Sequence, residues 1–131
     1  EYVADLKRGD FLVRNLLGAD PQTGAVAIGA HARTGQTLQY QLRDKITAHA
    51  DLVDLAENHT GSSGKPFAAR VFSCNGRGQN FFGVPDHDAA TLAEIFGPLA
   101  SAGFFCSGEI GPIGQSSYLH GYTASVALFC E

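Results

Sequence analysis

Two glycine-rich segments hold the side chains of this sequence that are best suited to chemistry. Cys74, Asn75 and Arg77 lie in the segment VFSCNGRGQNFFG. Glu109 and His120 lie in the segment GFFCSGEIGPIGQSSYLHGYT. A thiol with an imidazole and a carboxylate can act as a nucleophile with its base, whereas an arginine flanked by glycines suits a planar anion. The residue types therefore indicate either cysteine chemistry or the binding of a small charged molecule.

Each segment includes an apolar run that ends in a cysteine, Cys74 in the first and Cys106 in the second. Short apolar runs are typical of buried strands, and the glycines that follow let the backbone adopt positive φ or approach another group closely. If the two strands are parallel neighbours, both segments lie at the same edge of the sheet. Backbone amides oriented by such turns also bind anions. The residues then expected around one pocket are Asn75, Arg77, Glu109 and His120.

The combination of Arg77 with Glu109 suggests a site for a zwitterion such as an amino acid, since the pocket would hold charges of both signs. The alternative is an enzyme or a redox-responsive thiol site, with Cys74 as nucleophile, His120 as its base and Glu109 as the orienting group. Each residue also has a structural interpretation, Cys74 as a small buried side chain and the polar residues as hydrogen-bonded groups. A third interpretation is a module that binds protein partners through its surface.

The composition is that of one globular domain spanning residues 1–131. A chain of 131 residues with 44% hydrophobic residues can build one core. The net charge of -4 and scattered arginines argue against a nucleic-acid partner. No apolar run reaches about 18 residues, so no membrane association is expected. Since the chain starts at Glu1 rather than methionine, we expect it to be a piece of a longer protein.

Cysteine usage and loop motifs limit the cofactors. The three cysteines lack CxxC spacing, which indicates reduced thiols in a cytoplasmic protein and no zinc site. The GRG sequence lacks the Lys-Ser/Thr of a phosphate-binding loop, and no dinucleotide-binding motif follows a strand. We therefore expect neither a cofactor nor a metal.

The pattern of apolar residues predicts an α+β domain with the order β-β-β-α-β-α-β-β. This is a mixed, mostly antiparallel sheet of about six strands with two helices. Alternation and apolar runs predict strands. The strand ending at Cys74 is expected to be central because it is largely apolar apart from Arg70, and the strand ending at Phe129 because both of its faces are largely apolar. Asp44 and Asp86 are the expected N-caps of the helices. The predicted strands are 10–16, 25–30, 37–43, 67–74, 101–106 and 122–129, and the helices are 44–58 and 86–96.

The sequence resembles the C-terminal half of a FIST domain. The similar segments include GDFLVRNLLGADPQTGAVAIG, GQTLQYQLRD, FSCNGRG, FGVPDHD, GFFCSGEIGPIG and YLHGYTAS, and they occur in order over residues 9–129. The combination of GEIGP with LHGYT at this spacing is the most specific part of the resemblance. The resemblance implies an N-terminal half of comparable or larger size that is absent from this chain.

The resemblance also implies a function. FIST domains are regarded as intracellular sensory modules of signal transduction, with small molecules, amino acids among them, as proposed ligands. Ligand sensing rather than catalysis is therefore expected, with a signalling partner whose identity the resemblance does not supply. The residues carried over by position as ligand contacts are Cys74, Asn75, Gly76, Arg77, Gly78, Gly108, Glu109, Gly111, His120 and Thr123.

Two positions depart from the family pattern. Cys106 stands where a small residue such as alanine is expected, and Arg70 stands where an apolar residue is usual. Both departures bear on whether the pocket binds a typical ligand. Cys106 near Cys74 would also permit a redox-sensitive pair, provided that their Cα atoms lie within about 7 Å.

Overall fold

A computed structural model describes residues 9–59 and 64–131. Within these residues it contains seven strands and three α-helices, which confirms the predicted α+β class and, roughly, the predicted order. A 3-10 turn, Asn75–Arg77, follows the third strand. The elements are β1 (Leu16–Ala19), β2 (Val26–Ile28), α1 (Lys45–His59), β3 (Pro66–Cys74), α2 (Gln79–Phe82), α3 (His87–Phe96), β4 (Ala100–Cys106), β5 (Glu109–Ile113), β6 (Ser116–His120) and β7 (Ala124–Cys130).

The main sheet has the strand order β4-β3-β7. β3 is central, as predicted, and pairs parallel with β4 and antiparallel with β7. The parallel pair requires a crossover connection, and α2 and α3 supply it. The apolar faces of β7 predict a central strand, but β7 lies at the edge of this sheet. Most of its residues are half-buried, but Phe129 is 45% exposed.

Helices α1 and α3 cover one face of the main sheet. The buried core consists of Leu52 and Ala56 from α1, Leu92 from α3, and Ala69 and Val71 from β3. Asp44 caps α1 as predicted, because its Oδ2 accepts a hydrogen bond of 2.8 Å from the Thr47 amide. Asp86 precedes α3 as predicted but makes no side-chain cap, since its backbone is left-handed with φ 53°. No helix of the described residues is long and apolar enough to cross a bilayer.

Two separate antiparallel hairpins, β1-β2 and β5-β6, replace the single larger sheet that the sequence predicts. The strand predicted at 10–16 begins only at Leu16. The strand predicted at 37–43 has no regular structure, and Leu38, Tyr40 and Leu42 are 58%, 70% and 96% exposed. Alternation alone does not form a strand when no neighbouring strand pairs with it. Conversely, residues 107–121, for which no strand is predicted, contain the β5-β6 hairpin, with Gly114 at positive φ in its turn.

Replacing Gly103 by alanine is expected to destabilise the domain by about 1–3 kcal/mol, as overpacking does. Gly103 lies opposite Val71 in the β3-β4 pair, where a Cβ atom would overlap the Val71 carbonyl oxygen. Urea unfolding measures the change. Gly121→Ala is the matched control, because a Cβ atom there meets no atom within 4 Å. Equal stability of the two variants would contradict the close approach of β4 to β3.

Candidate functional site

The two glycine-rich segments meet at one end of the main sheet, as predicted. Cys74 and Cys106, the last residues of β3 and β4, are register partners. Just beyond them, the Asn75 side-chain amide donates a 2.9 Å hydrogen bond to the Ser107 hydroxyl. The parallel pairing of β3 and β4 therefore brings both segments to the same edge.

Thr123 connects the two segments through hydrogen bonds. Its carbonyl accepts from the Cys74 amide at 2.9 Å. Its hydroxyl and amide donate to Glu109 Oε2 at 2.9 and 3.3 Å, while the Cys106 thiol donates to Oε1 at 3.5 Å. Glu109 is only 1% exposed. Its carboxylate is an internal acceptor, so it does not face a ligand pocket as the zwitterion hypothesis requires.

Cys106 lies beside the Glu109 carboxylate, and this position affects the pKa of its thiol. Burial is the first cause that raises the pKa of the Cys106 thiol, and the hydrogen bond and charge of Glu109 raise it further. A thiol is reactive mainly as its thiolate. Cys106 is therefore held in its protonated form as a hydrogen-bond donor to Glu109.

Arg77 forms a salt bridge with Asp88, so its charge does not face a ligand together with that of Glu109, as the zwitterion hypothesis requires. Its Nη2 and Nε donate to the two carboxylate oxygens at 2.8 and 2.9 Å, and the residues are 7% and 6% exposed. The Ser73 hydroxyl donates to the same carboxylate at 2.7 Å. Ser73 faces the helical side of β3, and the 3-10 turn returns Arg77 to that side. Arg77 is therefore a buried structural cation.

The Asp88 carboxylate is ionised in spite of its burial. Burial raises its pKa, but the hydrogen bond and charge of Arg77, followed by the hydrogen bonds from His87 and Ser73, outweigh this effect. The net pKa lies below the ordinary value of 3.8. The carboxylate is thus the centre of a buried polar network at the start of α3.

His87 extends this network toward α1. Its Nδ1 lies 2.9 Å from Asp88 Oδ1, its ring stacks on Phe82 at 3.4 Å, and its Nε2 lies 3.0 Å from Nδ1 of His49. The sequence suggests that both histidines are solvated surface residues, which is wrong for His87. In the sequence, only the position of His87 directly before Asp88 could have indicated that it belongs to this network.

His120 is not arranged as a base for Cys74. Its Nε2 lies 3.0 Å from the Gly111 carbonyl oxygen within the β5-β6 hairpin, although it is the register partner of Glu109. The Cys74 sulfur instead accepts from the Gly76 amide at 3.5 Å. Among the described residues, no hydrogen bond joins His120 to Cys74.

A cleft of about 400 Å³ opens beside the 3-10 turn Asn75–Arg77. Its lining is largely polar and combines side-chain amides with the half-buried backbone of two glycines. Glu109 and His120 do not line this cleft, so it does not gather the four residues expected around one pocket. The lining residues are Arg43, Asn75, Gly76, Gly78, Gln79, Asn80 and Phe81.

Arg43 supplies the charge of this cleft. Its guanidinium carbon lies 4.2 Å from the ring centre of Phe81 and 4.9 Å from that of Tyr122, which are cation-π distances. A Cβ atom on Gly76 would lie 2.8 Å from Arg43 Nη1 and 3.0 Å from the Tyr122 ring. Glycine at this position therefore permits the arrangement. Arg43 is not among the predicted site residues, because it ends the alternating run interpreted as a strand.

The residues carried over as ligand contacts thus divide into separate places. Asn75, Gly76 and Gly78 line the cleft, and Arg77 lies in the buried network behind it. A second cavity of about 290 Å³ has Arg77 and Gly78 in its wall, next to β4. The roles of all the carried-over residues as ligand contacts stay predictions. The remaining residues are Cys74, Glu109 and Thr123 in the internal cluster and Gly108, Gly111 and His120 at the β5-β6 hairpin.

Comparison with known families identifies the family of this chain. The sequence profile of the FIST C domain family matches residues 2–112. The chain belongs to the FIST C domain family. This family comprises sensory domains of signalling proteins, and the match includes the CNGRG turn as well as GEIGP.

Several longer proteins contain a segment similar to this chain. The chain is 48% identical over 132 residues to "Uncharacterized protein Rv0628c" of Mycobacterium tuberculosis and 47% identical to "Uncharacterized protein Mb0898c" of Mycobacterium bovis. Each alignment covers 100% of the chain and 34% of the relative. It is also 36% identical over 99 residues to "F-box/LRR-repeat protein At5g63520" of Arabidopsis thaliana, covering 72% of the chain and 18% of that protein. The chain therefore spans about a third of the length of the mycobacterial relatives.

Proposed function

We propose that this FIST C domain senses a small molecule and that the cleft beside Arg43 binds the ligand's carboxylate. The observation that carries the proposal is the position of Arg43 between two aromatic rings at the edge of the Gly76 turn. Among the described residues, no carboxylate forms an ion pair with Arg43. Its charge is therefore available to an anion, whereas that of Arg77 is neutralised by Asp88.

The chemistry of the cleft favours a planar anion. A guanidinium group can bind both oxygens of a carboxylate, and the side chains of Asn75, Gln79 and Asn80 add hydrogen-bonding groups around it. Amino acids remain candidates, but Glu109 cannot accept their ammonium group because its oxygens are engaged internally. Side-chain carbonyl oxygens of the cleft would take that role. Binding without catalysis is consistent with the hydrogen bond that holds His120 at Gly111 rather than at Cys74.

Replacing Arg43 by glutamine is expected to weaken carboxylate binding about tenfold to a hundredfold, since a hydrogen bond to a charged group contributes about 1.5–3 kcal/mol. Calorimetry on the full-length protein with a panel of amino acids and small carboxylates measures this change. Arg33→Gln is the matched control, because Arg33 is exposed outside the cleft. Equal affinities of the two variants, or no binding by the wild type across the panel, would refute the proposal.

The face of the main sheet that lies away from α1 and α3 favours a second function, that of an interaction surface. Phe104 lies on this face and is 65% exposed, and its ring contacts Phe72 at 5.1 Å. Phe129 is 45% exposed, and Arg70 lies on the same face and is exposed to solvent. Exposed apolar patches of this kind mark interaction sites. We propose that another part of the full-length protein packs here.

Cysteine labelling tests this packing. The thiol introduced by Phe104→Cys in the full-length protein is expected to react with a maleimide markedly more slowly than that introduced by Leu42→Cys. Leu42 is 96% exposed and lies outside the face, so it gives the rate of an open position. Equal rates would show that nothing within the protein covers the face.

A further inference from the structure

Cys74 and Cys106 are direct neighbours on adjacent parallel strands. Each is the last residue of its strand, and the two are register partners. Neighbouring strands lie about 4.8 Å apart, which is within the Cα separation of about 4.4–6.8 Å that disulfides span. Register partners in such a pair direct their side chains to the same face of the sheet. Both thiols are free in the structure.

A further contact places the Cys106 thiol beside the backbone of Cys74. Its Sγ lies 3.5 Å from the Ser73 carbonyl oxygen, an atom of the peptide bond that leads into Cys74. A disulfide needs Cβ atoms about 3.5–4.5 Å apart, slightly closer than the strand spacing. Because both cysteines end their strands and precede turns, a small backbone adjustment can close this difference without displacing the sheet.

We propose that Cys74 and Cys106 form a reversible disulfide when a peroxide oxidises the protein. First, the sulfur of Cys74 attacks a peroxide oxygen; the S–O bond forms, the O–O bond breaks, and the thiol proton leaves in water. Then the sulfur of Cys106 attacks that of Cys74; the S–S bond forms, the S–O bond breaks, and the Cys106 proton leaves in a second water. Two thiols lose two electrons, and hydrogen peroxide gains them.

The hydrogen bonds of the two thiols assign these roles. The Gly76 amide donates to Cys74 Sγ at 3.5 Å, which stabilises negative charge on the sulfur that attacks first. The Cys106 thiol donates to Glu109 Oε1 at 3.5 Å, so this carboxylate is placed to accept the proton in the second step. Burial and the adjacent Glu109 raise the pKa of the Cys106 thiol, which makes Cys106 the poorer first nucleophile of the pair.

The disulfide would connect the last residues of β3 and β4, from which the glycine-containing loops CNGRG and CSGEIG continue. The strand spacing is slightly wider than the ideal Cβ separation, and a small backbone adjustment accommodates this difference, so the bond can form and can be reduced again by thiols. Its formation removes the thiol donor from Glu109 and restrains Cys74, which immediately precedes Asn75 and Gly76 in the cleft wall. An effect on ligand affinity would rest on the proposed function, whereas formation of the disulfide does not.

Peptide mapping of the full-length protein tests the disulfide directly. The reduced protein is treated with equimolar hydrogen peroxide, its remaining thiols are alkylated, and it is digested without reductant. The expected result is a peptide containing Cys74 linked to one containing Cys106, which dithiothreitol separates. Cys130 should be recovered alkylated, because it pairs with Pro66 at the opposite end of β3.

Cysteine variants separate the expected result from its alternatives. Cys130→Ser should leave the linkage unchanged, whereas Cys106→Ser should leave Cys74 as a sulfenic acid that dimedone traps. Recovery of both Cys74 and Cys106 as free thiols after peroxide treatment would overturn the proposal. Linkage through Cys130, or a sulfinic acid at Cys74 in the wild type without any linkage, would also overturn it. The mapping on the wild type needs no variant to fold.

Discussion

Asp88→Asn is expected to lower the free energy of unfolding by about 3–5 kcal/mol, because it leaves the buried Arg77 guanidinium without its counter-charge. The wild-type pair is bidentate, with contacts of 2.8 and 2.9 Å. The carboxylate also accepts from Ser73 and His87, so the substitution disturbs the network on several sides. Urea unfolding followed by circular dichroism at neutral pH measures the loss.

The neighbouring Asp86 provides a matched control. Asp86 is exposed, and its φ of 53° lies in the left-handed region that asparagine tolerates. Asp86→Asn should therefore change stability by less than about 0.5 kcal/mol. The double variant Arg77→Met with Asp88→Leu should recover much of the loss, since apolar side chains can replace a buried ion pair. Similar stabilities of the Asp86 and Asp88 variants would refute the structural role of the pair.

In acid, the free energies of unfolding of the wild type and of Asp88→Asn should become similar. The folded-state pKa of Asp88 is lowered below 3.8, so the ionised carboxylate stabilises the fold fully above its ordinary pKa. That contribution is lost as the pH falls through the folded-state value. The difference in unfolding free energy should stay constant from neutral pH to about pH 5 and shrink in stronger acid. A difference that grows in acid would assign the effect to another group.

The meeting of the two glycine-rich turns follows from local sequence patterns. The runs ending at Cys74 and Cys106 have strand length and are separated by a helical segment, which is the requirement for a parallel pair. Parallel strands end at the same edge, so the sequence pattern places Cys74 beside Cys106 once the two strands are taken as parallel neighbours. The central position of β3 follows from its apolar residues in the same way.

The choice of partners within the site does not follow from local patterns. Arg77 could face Asp88 or Glu109, and the geometry of one 3-10 turn selects Asp88. Arg43 belongs to a run whose alternation is typical of a strand, but no neighbouring strand pairs with it. Its place in the cleft depends on Phe81 and Tyr122, which are distant in sequence. Such tertiary contacts leave no periodic signal.

Glu109→Ala should also destabilise the domain, by about 3 kcal/mol. The Thr123 amide and hydroxyl would lose their acceptor inside the protein, and an unsatisfied buried polar group costs about 1–3 kcal/mol. Glu109 is 1% exposed, so water cannot readily replace the carboxylate. Urea unfolding measures the change, and Glu94→Ala on the exposed side of α3 should alter stability by less than about 0.5 kcal/mol.

Glu109→Gln separates the charge of this residue from its shape. The glutamine oxygen can still accept from Thr123, but the amide group presents hydrogens where the carboxylate accepts from the Cys106 thiol. We therefore expect a loss smaller than that of Glu109→Ala, of about 1–2 kcal/mol. If the glutamine variant were as stable as the wild type, the negative charge would be dispensable for the fold. If it were as unstable as the alanine variant, the charge itself would hold the two glycine-rich turns together.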